Sequence, residues 1–414
     1  MNWKQHLCLS AVFIVLISQL PAQTIFTLKS APPDLEVYLN DELISPYSAE
    51  SGLRSYIITS EGTLRFSAAE YKSIEYSISE LPVKSSITGI KLEKERGVAQ
   101  LLGEYSTGTQ PKSAYFSPDG KRLFVPLLGQ HGIDVFRVTG ETLSHEKRLT
   151  VPGSSAKGFV EAMCDARRRE VWISNLEENK AHIYNLDTLE YKTSVSTGGV
   201  FPKVIIQSSD GKLTAVSNWI SMDISIFNSD TKELIMKIPA GGTPRGMAFS
   251  PDSNLLYTAI YDEALVVVIN MAQQKIVNSI RLSSGAGAAR HVIFYDGKLF
   301  VSDMLRGTVN IINTATGAVT HSKYVGFNIN TIALSPDGRY VIASSRGRNN
   351  PETYLKPGPE FGAVYILNAD DLTLIEKIWG RNQPTGLAVS PDGKLLVFTD
   401  FLDANLELYR MPPR

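Results

Sequence analysis

The chain has 414 residues, 43% of them hydrophobic, enough for a large buried core and for more than one domain. Its 41 Lys and Arg against 42 Asp and Glu leave a formal net charge of -1, which excludes a globally basic nucleic-acid binder and leaves any anion site to local clustering. Two cysteines, Cys8 and Cys164, exclude a disulfide framework and a Cys-x-x-Cys-His haem site, and argue against structural zinc.

Lys4 precedes an almost unbroken apolar run from Leu7 to Ile17, followed by Ser18-Gln19-Leu20-Pro21-Ala22. This is the pattern of a signal peptide over residues 1–23. A roughly dozen-residue run is short of the about 20 needed to span a bilayer, so cleavage is favoured over a permanent anchor. The expected location is the periplasm or the cell surface of a bacterium, with no transmembrane domain after cleavage. Cys8 lies within that segment, which leaves Cys164 as the lone thiol.

Residues 24–96 read as short alternating strands, Ile25 to Leu28, Leu35 to Leu39, Tyr56 to Ile58, Thr63 to Phe66, Ile74 to Ile78 and Ile87 to Leu92, separated by Gly, Pro, Asn and Asp. Ser30-Ala31-Pro32-Pro33, Glu36-Val37-Tyr38-Leu39-Asn40, Ser45-Pro46, Glu70-Tyr71 and Ile90-Lys91-Leu92 resemble a PEGA-type domain. That resemblance implies a small β-sandwich serving as an attachment or spacer unit, although Pro33-Asp34-Leu35-Glu36 stands where the Pro-Glu-Gly-Ala signature belongs. The charged stretch Lys91 to Gly97 reads as a linker.

Beyond Gly97 an internal repeat dominates. Its turns are Ser117-Pro-Asp-Gly120, a degenerate Cys164-Asp165-Ala166-Arg167, Ser208-Ser-Asp-Gly211, Ser250-Pro-Asp-Ser253, Phe294-Tyr-Asp-Gly297, Ser335-Pro-Asp-Gly338 and Ser390-Pro-Asp-Gly393. Pro presets the first central dihedral, Asp caps the turn, and Gly takes the positive φ that closes a hairpin. Asp119 to Asp392 covers 273 residues in six steps, about 45 per copy, the length of a four-stranded blade. The expectation is an all-β chain: a seven-bladed β-propeller over residues 97–414 behind the small β-sandwich. After the last turn only two strands remain, so Val98 to Tyr105 is expected to complete the final blade and latch the ring.

With Val216-Ser217-Asn218, Val301-Ser302-Asp303, Val309-Asn310-Ile311-Ile312-Asn313 and Gly241-Gly242-Thr243-Pro244-Arg245, these turns resemble YVTN-type propellers, the lactonase-like and surface-layer-like group. No Trp-Asp dipeptides close the blades, which disfavours a WD40 scaffold.

In such a ring the loops leading into the inner strands and those joining second to third strands share one face. The first residues of the inner strands read Lys112, Lys157, Lys203, Arg245, Arg290, Asn330 and Thr385, five cations from seven positions. Converging, they would make a mouth for an anionic small molecule, a glycan or a protein partner. The opposing expectation is that Asn175, Glu177, Asp262, Asp303 and Asp400, on the same face, pair with those cations and tie blades together. A sixth-copy insertion from Arg346 to Phe361 should overhang the mouth, bringing Arg346, Arg348, Asn350 and Tyr354, with Trp219 and Phe401 as aromatic walls. The ligand-binding candidates are thus Lys112, Lys157, Lys203, Trp219, Arg245, Arg290, Arg346 and Tyr354.

The lactonase resemblance implies an alternative: hydrolysis in the channel, with Glu161 or His291 as general base and Arg245 or Arg290 at the oxyanion. The sequence has no Gly-x-Ser-x-Gly elbow and no His-Glu-x-x-His helix, and an isolated His beside Arg is more often structural, so a binding protein is preferred to an enzyme. Histidines 131, 145, 182, 291 and 321 are scattered among copies, so no metal site and no cofactor are expected. Single-stranded nucleic acid against the aromatic walls is disfavoured for an exported acidic chain, and a monomer is expected.

Overall fold

The computed structural model describes residues 24–412 apart from 51, 59–60 and 85–86, so the expected signal peptide lies outside the described residues. Among the described residues no helix is long and apolar enough to cross a membrane. Nearly all regular structure is β, and it falls into two parts.

The first part is two facing sheets. One orders Ser48–Glu50, Leu53–Ile58, Thr24–Ala31, Ile87–Lys91 and Val83–Lys84; the other orders Glu42–Ile44, Glu36–Leu39, Thr63–Ser67 and Ile74–Ser77. Alternation decides which side chains meet between them: Phe26 and Leu28 are buried on the first strand while Ile25 is exposed, and they pack on Val37, Tyr56, Leu64, Phe66 and Ile90.

The second part is a β-propeller whose strands, among the described residues, fall into seven four-stranded antiparallel sheets. Their inner strands are Tyr115–Phe116, Phe159–Asp165, Pro202–Gln207, Pro244–Phe249, Ala289–Tyr295, Ile329–Leu334 and Pro384–Val389. Third strands such as Leu265–Asn270 are buried on both faces and so read as continuous apolar runs, whereas an outer strand such as Val319–Tyr324 is mostly exposed. Successive sheets share one apolar core each: the first and second meet through Phe124, Val135, Phe159 and Tyr184, and the seventh meets the first through Val397, Leu395, Phe116 and Val125. The ring therefore closes on itself.

The repeated turns join first to second strands. Ser117 Oγ donates to Asp119 Oδ1 at 2.6 Å while accepting the Arg122 amide at 2.9 Å, and Ser208, Ser335 and Ser390 repeat the arrangement. Gly120, Gly211, Gly338 and Gly393 sit at φ of 69 to 75°, the left-handed region the turn demands. In the second copy Asp165 itself takes the leading Ser position, accepting the Arg168 amide and guanidinium. The Ser hydroxyl, against burial at Asp119, helps hold Asp119, Asp210 and Asp337 below the ordinary 3.8, Asp337 down to about 2. A depressed folded-state pKa gives stability that is full above the unfolded value and is lost as pH falls through the folded one. Resistance to urea should accordingly fall between about pH 4 and pH 2, less steeply in Ser335→Ala.

The ring is latched by Gln100–Ser106 pairing antiparallel with Asn405–Arg410, which completes the seventh sheet. Deleting residues 98–106 should leave Asn405–Arg410 as an open edge and cost solubility; a truncated chain that stays monomeric and melts unchanged would defeat the latch.

The stretch expected as a linker is instead fastened down. Lys91 forms an ion pair with the buried Glu407, Lys94 lies 3.9 Å from Glu376, and Glu376 also accepts the Ala99 amide at 2.7 Å. From the first part, Lys29 Nζ donates to the Gly358 carbonyl of the insertion at 2.8 Å and lies over the Phe361 ring.

Candidate functional site

Two sets of hydrogen bonds fix where each inner strand begins. In every sheet a second-loop amide donates to a leading-loop carbonyl: Leu128 to Gln110, Leu176 to Gly158, Trp219 to Phe201, Tyr261 to Thr243, Met304 to Ala288, Arg346 to Asn328 and Phe401 to Gln383. A hydroxyl on the second strand then accepts its own inner strand's amide and donates to a carbonyl of the next inner strand. Ser174 bridges Glu161 N and Lys203 O; Ser217 bridges Val204 N and Arg245 O; Ser302 bridges His291 N and Asn330 O; Ser344 bridges Thr331 N and Thr385 O. Thr399 closes the series onto Pro111 O at 3.1 Å. Neighbouring sheets are thereby held in one register.

That register defines the ring at the mouth as Lys112, Val160, Lys203, Arg245, Arg290, Asn330 and Thr385. Lys157 does not belong to it: it lies three residues upstream of the equivalent position, its side chain is exposed, and its amide donates to Glu177. The ring thus holds four cations, and the insertion supplies a fifth, Arg346.

These five charges converge. Lys112 is 8% exposed, and burial first, then Arg346, Arg290, Lys203 and Arg245, hold its ammonium well below its ordinary pKa. Burial followed by Arg245 and Arg290 brings Lys203 down to about 7. Arg290 is lowered by burial, then by Arg245 and Arg346, and burial takes Arg346 to about 10. Such depression is the mark of positive groups taken out of water beside one another without enough opposite charge.

The four carboxylates and one carboxamide expected to face the ring each accept hydrogen bonds within the loops. Asp262 accepts the Thr243 amide and hydroxyl, Asp303 the Ala288 and Arg306 amides, Asp400 the Arg381 amide, Asn175 the Glu177 and Glu178 amides, and Glu177 the Lys157 amide. Short side chains in tight loops reach backbone N–H groups first. Among the described residues the ion pair that a ring cation makes is Arg245 to Glu161 at 3.1 Å. The remaining cations lie against aromatic rings or sulfur: Lys112 over Phe401, Lys203 over Phe201 and Trp219, Arg346 over Phe401 and Tyr354, and Arg290 Nη1 3.8 Å from Met304 Sδ. The Trp219 and Tyr261 rings pack tilted at 52°, with centroids 4.7 Å apart. Arg346 Nε and Nη2 and both amide atoms of Asn330 are buried without a hydrogen-bond partner among the described residues. The donors among them, Arg346 Nε and Nη2 and Asn330 Nδ2, are costly to leave unmatched, so they mark a place prepared for an acceptor.

One residue deeper, Ser113, Glu161, Val204, His291 and Thr331 line a cavity of about 420 Å³ that runs toward apolar Phe116, Leu334 and Val389. His291 is brought to about 4 by burial, so it is neutral at pH 7, and its Nδ1 accepts the Ile332 amide at 3.2 Å. The proton of the neutral ring consequently sits on Nε2, leaving no free lone pair for a general base. His131, His145 and His182 are each engaged, by Ala156 O, Asp134 and Glu178. Cys164 is buried, its thiol pushed up to about 12 by burial, and is unreactive.

Of the predicted ligand-binding residues, the structure brings together Lys112, Lys203, Trp219, Arg245, Arg290, Arg346 and Tyr354 and leaves Lys157 outside. Arg348 and Asn350 bond within the insertion, to Glu360 and to Pro357 O. Sequence reading missed Phe201 and Tyr261, which flank the two loops of their sheets; their signal was adjacency to Pro202 and Ile260, the residues paired or placed where the sheet begins at the mouth.

Comparison with known proteins fits the propeller fold. The YNCE-like β-propeller family matches residues 99–247. Antigen Lp49 of Leptospira interrogans is 35% identical over 374 residues, covering 87% of this chain and 80% of the antigen. A 6-phosphogluconolactonase of Formosa agariphila is 24% identical over 51% of this chain and 67% of that protein. Among solved structures, the hydrazine synthase of Kuenenia stuttgartiensis superposes with a TM-score of 0.61 at 20% identity, covering 74% of this chain and 97% of that chain, a likeness of fold.

Proposed function

The chain belongs to the family of antigen Lp49, and on that premise we propose that it is an exported binding protein whose propeller mouth holds an anionic ligand or partner. In this reading residues 1–23 are a signal peptide, 24–96 a PEGA-like β-sandwich and 97–414 a seven-bladed propeller. A single observation carries the proposal: five cations share one mouth where, among the described residues, Glu161 just below the ring pairs with one of them. A multivalent anion there would offset the buried positive charge, and its oxygens would accept from Arg346 Nε and Nη2 and from Asn330 Nδ2. Tripolyphosphate and citrate, titrated by calorimetry, are expected to bind. Arg346→Met should weaken them by about tenfold or more, the loss of one strong charge-assisted contact, while Lys157→Met should change nothing. Equal affinity in the wild type and Arg346→Met, or no anion binding at all, would remove the proposal.

Hydrolysis of a cyclic ester is a second reading, favoured by Glu161 and His291 lining one cavity below the cations and by the similarity to a 6-phosphogluconolactonase. The protonated Nε2 of His291 leaves Glu161 as the base, and Glu161 is committed to Arg245. Turnover of 6-phosphogluconolactone that vanishes in Glu161→Ala and in His291→Ala would favour this reading over simple binding.

A further inference from the structure

On the face of the cationic mouth, loops of the third, fifth and sixth sheets expose large apolar side chains that no core explains. In the loops leading into inner strands, Val200 is 42% exposed and Phe327 44%; in the loops between second and third strands, Ile220 is 57%, Met222 48% and Leu305 65%. The insertion adds Tyr354 at 44% and Leu355 at 46%. Strand direction puts all of these on the face that carries Lys112, Lys203, Arg245 and Arg290. Toward the opposite face, where the repeated Ser-Pro-Asp-Gly turns lie, the exposed large apolar residues are fewer: Tyr295 in a turn, and Leu234 and Leu374 where outer strands begin. The asymmetry requires a cause, because exposed leucine, isoleucine and methionine beside one opening are surplus to a site for a small ion.

We infer that the mouth is a docking face for an acidic polypeptide: carboxylate side chains enter the cationic ring while flanking apolar side chains cover Val200, Ile220, Met222, Leu305 and Leu355. The inference rests on the anion-binding reading above and narrows it to one class of partner. Charge complementarity selects the centre of the contact, since of four ring cations and Arg346 only Arg245 forms an ion pair among the described residues. Apolar and aromatic residues flanking a charged centre, with Met and Arg prominent, are the composition of protein interfaces. A nucleic acid would satisfy the cations but leave those aliphatic side chains uncovered.

The test uses the full chain and a displayed library of random dodecapeptides, with tripolyphosphate as a separate probe. Selection should enrich peptides with Asp or Glu flanked by Leu, Ile, Met or Phe. The triple variant Ile220→Ser, Met222→Ser, Leu305→Ser should bind the best peptide at least about tenfold more weakly, the effect of truncating a few interface anchors, with tripolyphosphate affinity unchanged; Arg346→Met should weaken both. Acidic peptides without apolar preference, or peptides indifferent to either variant, would overturn the docking inference while tripolyphosphate binding preserved the parent reading. Failure of both probes to bind would overturn both.

Discussion

Replacing Lys91 with Met should cost about 3 to 5 kcal/mol of folding stability, the usual result of stranding one member of a buried ion pair. Lys91 is the cation beside Glu407, whose side chain is completely buried and whose other contact is the Tyr409 hydroxyl at 2.8 Å. Glu104 lies 3.8 Å from the same ammonium, so the lysine serves two carboxylates of the latch and the last strand. Without it the Glu407 carboxylate must either remain charged in a low-dielectric setting or take up a proton, and both oppose folding. Denaturant melts of Lys91→Met should show this loss, and Lys91→Met with Glu407→Gln should recover most of it. A Lys91→Met chain as stable as the wild type would mean that the strand Ile87–Lys91 hangs from the propeller as a tether. The first two sheets would then be a spacer after all.

The second large effect has the opposite sign. Lys112→Met and Arg290→Met should each stabilise the ligand-free chain by about 1 kcal/mol or more, since an uncompensated buried charge gives way to an apolar side chain of similar length. Both residues are 8% exposed, and both are pressed upon by Arg245 and Arg346. The same variants should lose the rise in melting temperature that tripolyphosphate gives the wild type, because ligand stabilisation follows affinity for the folded state. Stability gained and binding lost in the same variant is the signature of a site maintained at the expense of the fold. If Arg290→Met is less stable than the wild type, the arginine is a structural member of the ring, and the mouth is a set of ties between sheets.

The fold was legible because its signals are local and repeated. Each Ser-Pro-Asp-Gly turn carries its own dihedral requirements, and the copies recur at the length of a four-stranded sheet. The missing fourth strand at the end of the chain pointed to the latch, which pairs as Gln100–Ser106 with Asn405–Arg410. The mouth was legible only where the register was regular. Seven residues separate Lys112 from Asp119, Lys203 from Asp210, Arg245 from Asp252 and Thr385 from Asp392. In the second copy the turn is irregular: Asp165 occupies the place of the leading Ser, not of the Asp two residues on. Shifting the copy accordingly puts Val160 in the ring and expels Lys157, a correction that depends on the Ser174 hydrogen bonds and could not be read from residue types. The insertion compensated, since Arg346 restored the fifth charge.

The fate of the second-loop carboxylates was also hidden. Asp262, Asp303 and Asp400 sit in sequence as natural partners for Arg245, Arg290 and Lys112, yet each turns one oxygen to an amide of the leading loop of its own sheet, and none forms an ion pair with those cations among the described residues. Sequence gives the charge of a side chain but not the direction its loop imposes on it. The role of the first two sheets was obscured for a similar reason: Lys29 looks like any strand lysine, and burial against Gly358 and Phe361 of the insertion, which lowers it to about 8, appears only once both parts are folded.

The central claim, that the mouth carries charge awaiting an anion, is tested most directly through protons. Lys203 has a folded-state value of about 7, and an anion beside it stabilises the ammonium form, so binding at pH 7.5 must raise that value and draw protons from solution. Titrating tripolyphosphate into the full chain at pH 7.5 in two buffers of different ionisation enthalpy measures that uptake. Net proton uptake that disappears in Lys203→Met, with affinity weakening as pH rises through about 7, is the result expected. Binding with no uptake, or uptake unchanged in Lys203→Met, would contradict the account.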